Sequence, residues 1–239
     1  MLNIGGMATM PSRKNSLDLA LPKILPQLDL LYLYLDRYEK IPKELENKDK
    51  IIAILPAEVG ALGAAGKFYA LSVMTEPFLF FGFDDDIVYP DGYVEYVTAA
   101  IKLYKYEAMV GIHGHIYKRS INSYVQDRMY LHFAQPTNMD TYVDELGTGT
   151  IAFYSAVYKS NFLKWQNKKD LDLNLMLDCF KEAIPRICIR RPALFLQAIA
   201  EGQIDSIYRE YLMNDHEQTR VINEARKRYP NSWQYHRLA

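Results

Sequence analysis

Three adjacent aspartates, Asp84, Asp85 and Asp86, follow directly on an apolar run in FLFFGFDDDIVYP, residues 78–90. Carboxylates this close repel one another, so a cation or water must offset their charge. Side chains alternate along an extended backbone, which allows Asp84 and Asp86 to face one ligand while Asp85 faces away. Two converging carboxylates suit a divalent cation. Magnesium and manganese favour oxygen ligands and are commonly held by one or two carboxylates, with substrate phosphates completing the shell. The plainer alternative is a solvated turn in which Asp86 or Asp91 caps the next helix. The strongly apolar run before the acids, and Ile-Val-Tyr-Pro rather than a Gly/Asn turn after them, favour the metal.

Other groups with chemical capacity are scattered along the chain. Lys67, in GALGAAGKF (60–68), stands at the start of an expected helix, where a cation and backbone donors could both face a nucleotide. The stretch is not a phosphate-binding P-loop, because Ala61 occupies its first glycine position and Phe68 replaces the metal-binding Ser or Thr. His113 and His115, in GIHGHIY, share one strand face but lack a third ligand at convincing spacing. They read as polar teeth on a half-buried strand, one of them able to touch a substrate. Asp144 and Glu145 precede the turn Gly147-Thr148-Gly149, and Asp170 and Asp172 open a later helix, whose positive end favours acids in any case. Arg190 and Arg191, adjacent at a strand end, are expected to face solvent.

The elements that must position these groups are short apolar runs at 2–8, 30–35, 51–55 and 78–83, each bounded by polar or proline-containing loops. Runs so continuously apolar suit parallel strands covered on both faces. Leu17, Leu21, Ile24, Leu25 and Leu28 fall at helical spacing, interrupted by Pro22 and Pro26. A helix is expected over 66–74, and another after Pro90 carrying Val94, Val97, Ile101 and Tyr104 on one face. Further expectations are a strand over 109–117, loops and short strands over 118–140, a strand after the glycine turn, a helix over 170–183, a strand over 187–189 and a polar tail helix over 206–228. The fold class is therefore α/β, with one main domain over 1–195 and a helical extension over 196–239 packed on it.

Composition narrows the classes of function. The chain has 239 residues and a net charge of −1, which gives no general reason to bind nucleic acid or an acidic membrane. Its two cysteines, Cys179 and Cys188, cannot build a disulfide framework and suit a reducing cytoplasm. No stretch approaches the ~20 apolar residues of a membrane helix, and the N-terminus lacks the order of a signal peptide. Arg220, Arg226, Lys227 and Arg228 on the tail helix form a solvated face or, alternatively, a peripheral membrane contact.

Taken in order, ATMPSR (8–13), LPQLDLLYLYLD (25–36), GKFYAL (66–71), FDDDIVYP (83–90) and GTGTIAF (147–153) resemble nucleotide-sugar glycosyltransferases of the GT-A fold, most closely family 2, over roughly residues 2–195. The resemblance implies a mostly parallel, Rossmann-like sheet flanked by helices. It also implies a nucleoside diphosphate-sugar donor, usually uridine-based, a manganese or magnesium ion, and a saccharide or lipid-linked acceptor. It places Thr9, Pro11 and Arg13 beside the nucleotide base and ribose, Asp84 and Asp86 on ribose and metal, and Asp85 and Lys67 on the nucleotide side. A late histidine, His216, becomes a candidate third metal ligand. Asp172 matches the position of the base in inverting members, with Asp170, Asp144 and Glu145 as alternatives. Ala64 and Ala65 depart from the pattern, since an acid commonly precedes this Gly-Lys pair. Bacterial-type surface polysaccharide synthesis, at the inner face of the membrane, is an expectation of the same kind. A sugar-phosphate nucleotidyltransferase would need a glycine-rich loop that ATMPSRKN lacks, and a silent sugar-nucleotide or glycan-binding protein stays open through the Ala64-Ala65 departure.

Overall fold

The computed structural model describes residues 1–46, 48–200 and 207–234. In chain order its strands are β1 (Asn3–Thr9), β2 (Leu30–Leu35), β3 (Ile51–Ile54), β4 (Leu79–Asp84), β5 (Ile87–Val88), β6 (Met109–Gly111) and β7 (Gly114–Tyr117). They continue with β8 (Arg128–Leu131), β9 (Thr141–Tyr142), β10 (Glu145–Leu146), β11 (Ile151–Tyr154), β12 (Arg186–Cys188) and β13 (Gln197–Ala198). The helices are α1 (Lys14–Ile24), α2 (Pro56–Val59), α3 (Ala70–Val73), α4 (Tyr93–Leu103), α5 (Leu171–Glu182), α6 (Ile207–Met213) and α7 (His216–Arg228).

The main sheet has the order β3-β2-β1-β4-β11-β6-β12-β9. Strands β3, β2, β1, β4, β6 and β12 run one way, and β11 and β9 run against them. The chain builds outward from β1 to β3, then returns to lay β4 on the other side of β1. Ligands in open α/β sheets bind outside the carboxyl ends of the strands at such a reversal. The β1/β4 register puts Ala8 beside Asp84, so the acidic cluster emerges at that point.

Burial on both faces explains the continuous apolar runs. Along β4, Leu79, Phe81 and Phe83 enter a cluster with Leu17, Leu21 and Ile24 of α1 and Val97 and Ile101 of α4. Phe78 and Phe80 enter the opposite cluster with Tyr34, Phe68, Phe153 and Leu175. The alternation is the period of two inherent in extended chain. Exposed Pro22 is accommodated inside α1, which tightens into a 3₁₀ turn at Leu25–Gln27. Beyond residue 195, β13 pairs with β5, while Ile222, Ala225 and Trp233 pack against Leu173, Met176 and Phe180 of α5.

Several elements differ from the sequence expectations. The helix expected over 66–74 is a 3₁₀ segment, Gly63–Phe68, followed by the single turn α3. A Cβ on Gly66 would stand 2.2 Å from the Tyr34 ring, and one on Gly6 would stand 1.9 Å from the Lys67 carbonyl oxygen. Glycine at both places lets this segment press against β1 and β2. The strand expected over 109–117 is two strands in different sheets, β6 in the main sheet and β7 in the three-stranded sheet β10-β7-β8. The hydroxyl of Thr150 accepts the N–H groups of Ile112 (3.3 Å) and His113 (3.1 Å), ending the main-sheet ladder at Gly111. The tail helix is interrupted at Asn214 and Asp215, where Asp215 accepts bonds from the Ser123 hydroxyl and the Val125 N–H; Ser206, where it was expected to begin, lies outside the described residues.

Because the neighbour at Gly6 is backbone, Gly6→Ala is expected to lower unfolding free energy by about 3 kcal/mol, the upper end of ordinary overpacking costs. Urea denaturation followed by circular dichroism checks this; an unchanged midpoint would show that the segment 63–68 can move away freely.

Candidate functional site

A cleft of about 690 Å³ opens at the carboxyl ends of β1 and β4. One wall carries Thr9, Arg13, Lys67 and the three aspartates; the other carries groups from β7 and β8, and Asp172 lines the same cavity. The strand ends are followed at once by turns, which release polar side chains from a sheet that is otherwise apolar.

Within the acidic cluster, alternation holds only as far as Asp84. Strand β4 ends there, and Asp85 and Asp86 form a turn before β5. The expected division, with Asp84 and Asp86 on one side and Asp85 on the other, is therefore replaced by a different pairing. Asp84 bonds Lys67. Asp85 accepts the Thr9 hydroxyl at 2.7 Å and the Arg13 guanidinium at 2.9 Å, and the same nitrogen of Arg13 reaches Asp86 at 3.1 Å. The positive charge that the cluster requires is thus supplied in part by the protein, from side chains that β1's end and the 63–68 segment deliver. Burial raises the pKa of Asp85 against the opposing pull of Arg13. Burial, then the charge of Asp84, pushes Asp86 up to about 7.

The turn Gly147-Thr148-Gly149 joins the two walls. A Cβ on Gly149 would lie 1.9 Å from a carboxylate oxygen of Asp84, and one on Gly147 would lie 2.8 Å from the His113 ring. Between them the Thr148 N–H donates to Asp172 at 2.8 Å. Tyr89 fixes the turn further, donating its hydroxyl to the Gly149 carbonyl at 2.6 Å while accepting the Asp84 N–H at 2.9 Å. Burial, then the nearby Glu145 charge, raises Asp172 to about 6. A carboxylate there is ionised near neutrality and basic enough to take a proton.

The alternatives to Asp172 have other work. Asp170 accepts bonds from Asn167, Tyr211 and Gln218, tying α6 and α7 to the start of α5. Asp144 is fully buried and accepts the Tyr117 and Gln234 N–H groups. Glu145, also fully buried, accepts the Tyr124 hydroxyl and approaches the His115 ring. Pro11 and His216 do not line the cleft: Pro11 is exposed at the start of a 3₁₀ turn, and His216 is exposed at the start of α7, its N–H held by Asn214. The third metal ligand expected of His216 is therefore not delivered to Asp84 and Asp86. Arg191 is buried rather than solvent-facing, and donates to the carbonyls of Leu131, His132, Gln135 and Ile189, while Arg190 is exposed. On α7, Arg220 pairs with Glu217 and Glu224, and Arg226 donates to the carbonyls of Lys118 and Arg119.

Sequence reasoning passed over Arg128. Its guanidinium is buried between the Tyr124 and Tyr130 rings, 4.5 and 4.6 Å from their centroids. The signal was present as a period of two: Arg128, Tyr130 and His132 alternate along β8 as His113 and His115 do at β7, and His115 lies opposite Tyr130 in the ladder.

Oxygen donors at the strand end fit a hard divalent cation, and a cation there would relieve the repulsion that raises Asp86. Among the described residues no three His, Cys, Asp or Glu side chains form a closed metal cage. Such an ion would therefore draw part of its shell from a substrate.

No protein-family model and no curated protein matches this sequence. Among solved structures, the chain resembles the crystal structure of S. aureus TarS 1–349, with a TM-score of 0.52 and 14% identity over 81% of this chain and 59% of that one. The chain thus spans less than two thirds of that neighbour. The likeness is one of fold, a large and mostly parallel central sheet flanked by helices in a GT-A-like arrangement.

Asp172 titrates higher in the fold than in the unfolded chain, so it contributes stability at low pH that is lost as pH rises through about 6. Asp172→Asn should therefore raise the melting temperature at pH 8 by about 3 °C, roughly the effect of 1 kcal/mol in a chain of this size. The gain should shrink as pH falls toward 5, a trend that scanning calorimetry of both proteins will read.

Proposed function

We propose that the chain is a glycosyltransferase that moves a sugar from a nucleoside diphosphate-sugar, of the uridine class, to a hydroxyl of a saccharide or lipid-linked acceptor. The observation that carries the reading is the Gly-Thr-Gly turn, which sets the lysine-paired Asp84 against one glycine and hangs a raised-pKa carboxylate from the residue between. The fold shared with TarS, a staphylococcal glycosyltransferase, supports it. So do the sequence elements that resemble family 2 of the GT-A enzymes.

In this reading the donor lies along the β1/β4 wall. Arg13 and Thr9 orient Asp85 and Asp86, and Lys67 brings a cation to Asp84 beside the position of a diphosphate. Asp84 and Asp86 would hold manganese or magnesium, which when bound offsets the charge of the diphosphate leaving group. Asp172 takes the proton of the attacking acceptor hydroxyl. It is suited to that task because its direct partner, the Thr148 N–H, is a neutral donor rather than a paired cation. Inversion of the anomeric centre is what the resemblance to family 2 implies for this transfer. Among the described residues no helix is long and apolar enough to cross a membrane; a lipid-linked acceptor at the inner face of the membrane is what the family 2 resemblance implies.

Calorimetric titration with manganese and uridine diphosphate-sugars, followed by detection of released nucleoside diphosphate, tests this reading. Asp86→Ala should abolish manganese-dependent donor binding with the circular dichroism spectrum unchanged. Asp172→Asn should bind donor within about twofold of the parent and lose transfer by at least about 10²-fold, the scale of one general base. Equal loss of donor affinity in both variants would overturn this division of roles.

A further inference from the structure

Opposite the acids, β7 and β8 build a second set of polar groups with a defined polarity of hydrogen bonding. His115 lines the cleft yet is only 2% exposed. Its Nδ1 lies 2.8 Å from Glu145 Oε1, and Glu145 is itself fully buried. A carboxylate there requires Nδ1 to carry the proton, leaving Nε2 as a bare lone pair. That Nε2 is buried and has no hydrogen-bond partner among the described residues. Leaving a buried acceptor unsatisfied costs about 1–3 kcal/mol, and native folds seldom do so without a reason.

The surroundings keep the imidazole neutral and say what would satisfy it. Burial pushes the pKa of His115 down, and the Arg128 guanidinium, 3.5 Å from Nδ1, pushes it the same way. The group that meets Nε2 must therefore donate a hydrogen bond. An ammonium would bring a second cation beside Arg128, whereas a hydroxyl brings none. The rings of His113 and Tyr130 line the same cleft and stand edge-on to His115, each 4.7 Å away, and a tyrosine ring is a surface of the kind that receives the C–H face of a sugar.

We propose that His115, held in one tautomer by Glu145, is an acceptor-binding residue whose Nε2 receives a hydrogen bond from a hydroxyl of an uncharged sugar or polyol seated against the β7–β8 wall. The assignment rests on the glycosyltransferase reading for the identity of the ligand as acceptor. Gly147 packing against His113 and Gly149 against Asp84 put this wall across the turn from the donor side, with Asp172 hung between the two.

Nitrogen-15 NMR of the full chain, saturated with uridine diphosphate and diamagnetic magnesium, tests the assignment with methyl α-D-glucopyranoside, glycerol and D-glucosamine as probes. Before any probe is added, His115 should show a protonated Nδ1 and an unprotonated Nε2 at pH 7. The methyl glucoside or glycerol should shift the Nε2 resonance, with protonated glucosamine binding more weakly. His115→Phe should weaken methyl glucoside binding about tenfold, the loss of one hydrogen bond of ~1.4 kcal/mol, and leave uridine diphosphate affinity within twofold. His115→Gln, whose amide oxygen is a replacement acceptor, should retain the methyl glucoside within about threefold. A proton found on Nε2, or no Nε2 shift with either uncharged probe, overturns the assignment even where the nucleotide binds. Failure of the nucleotide and magnesium to bind the parent protein overturns instead the glycosyltransferase reading on which it rests.

Discussion

The site depends on how three neighbouring carboxylates are kept from repelling one another at the end of a buried strand. Two cations from different parts of the chain share the task. Arg13 spans Asp85 and Asp86, while Lys67 meets Asp84. Both cations reach the cluster only because β1 and β4 are neighbours in register, with the 63–68 segment laid across β1. The central pairing of the sheet and the charge balance of the cleft are thus the same structural fact. Burial still raises Asp85 and Asp86, and for Asp86 the charge of Asp84 adds to it.

Close backbone approach is the second constraint. Gly6 and Gly66 let the lysine-bearing segment sit on the sheet, Gly82 leaves room for the Thr148 carbonyl, and Gly149 leaves room for Asp84 itself. A side chain at any of these positions would push apart groups that must meet. The result is a turn that touches both walls and carries Asp172 on its one non-glycine amide, so the spacing between the acid cluster and Asp172 is set by backbone rather than by flexible side chains.

Much of this was legible in the sequence. Strands β2 and β4, on either side of β1, are announced by LLYLYL and FLFFGF, because burial on both faces leaves continuous apolar runs, and the acids that follow β4's run mark its carboxyl end. Lys67 follows from its place after a glycine-containing turn, whereas Thr9 and Arg13 were named, with Pro11, from the resemblance. What remained hidden depends on pairings between distant residues. The break between β6 and β7 is imposed by Thr150, some forty residues on, and no local pattern in GIHGHIY signals it. Asp85 and Asp86 were read as extended because alternation is the default for a strand, whereas the chain turns at that point. Arg191 looks like a surface residue next to Arg190, yet the carbonyls it caps come from the β8 end and the loop that follows it. Pro11 and His216 were proposed by analogy alone, and their own helix starts leave them exposed.

The same electrostatics separate two kinds of carboxylate in one cavity. Asp84, Asp85 and Asp86 face guanidinium or ammonium groups, so each already has an ionic partner, while burial raises Asp85 and carries Asp86 to about 7. Asp172 receives a backbone N–H and feels the charge of Glu145, while Lys67 acts on it only through space. Burial, then the Glu145 charge, raises its pKa to about 6, so its neutral partner rather than its pKa sets it apart from Asp86. A carboxylate spent on neutralising a cation is a poor proton acceptor, because the cation stabilises the very form that must be consumed. On the proposed reading, keeping the cations at the β1/β4 wall and giving Asp172 a neutral donor would free one acid for proton transfer and leave the others to bind charge.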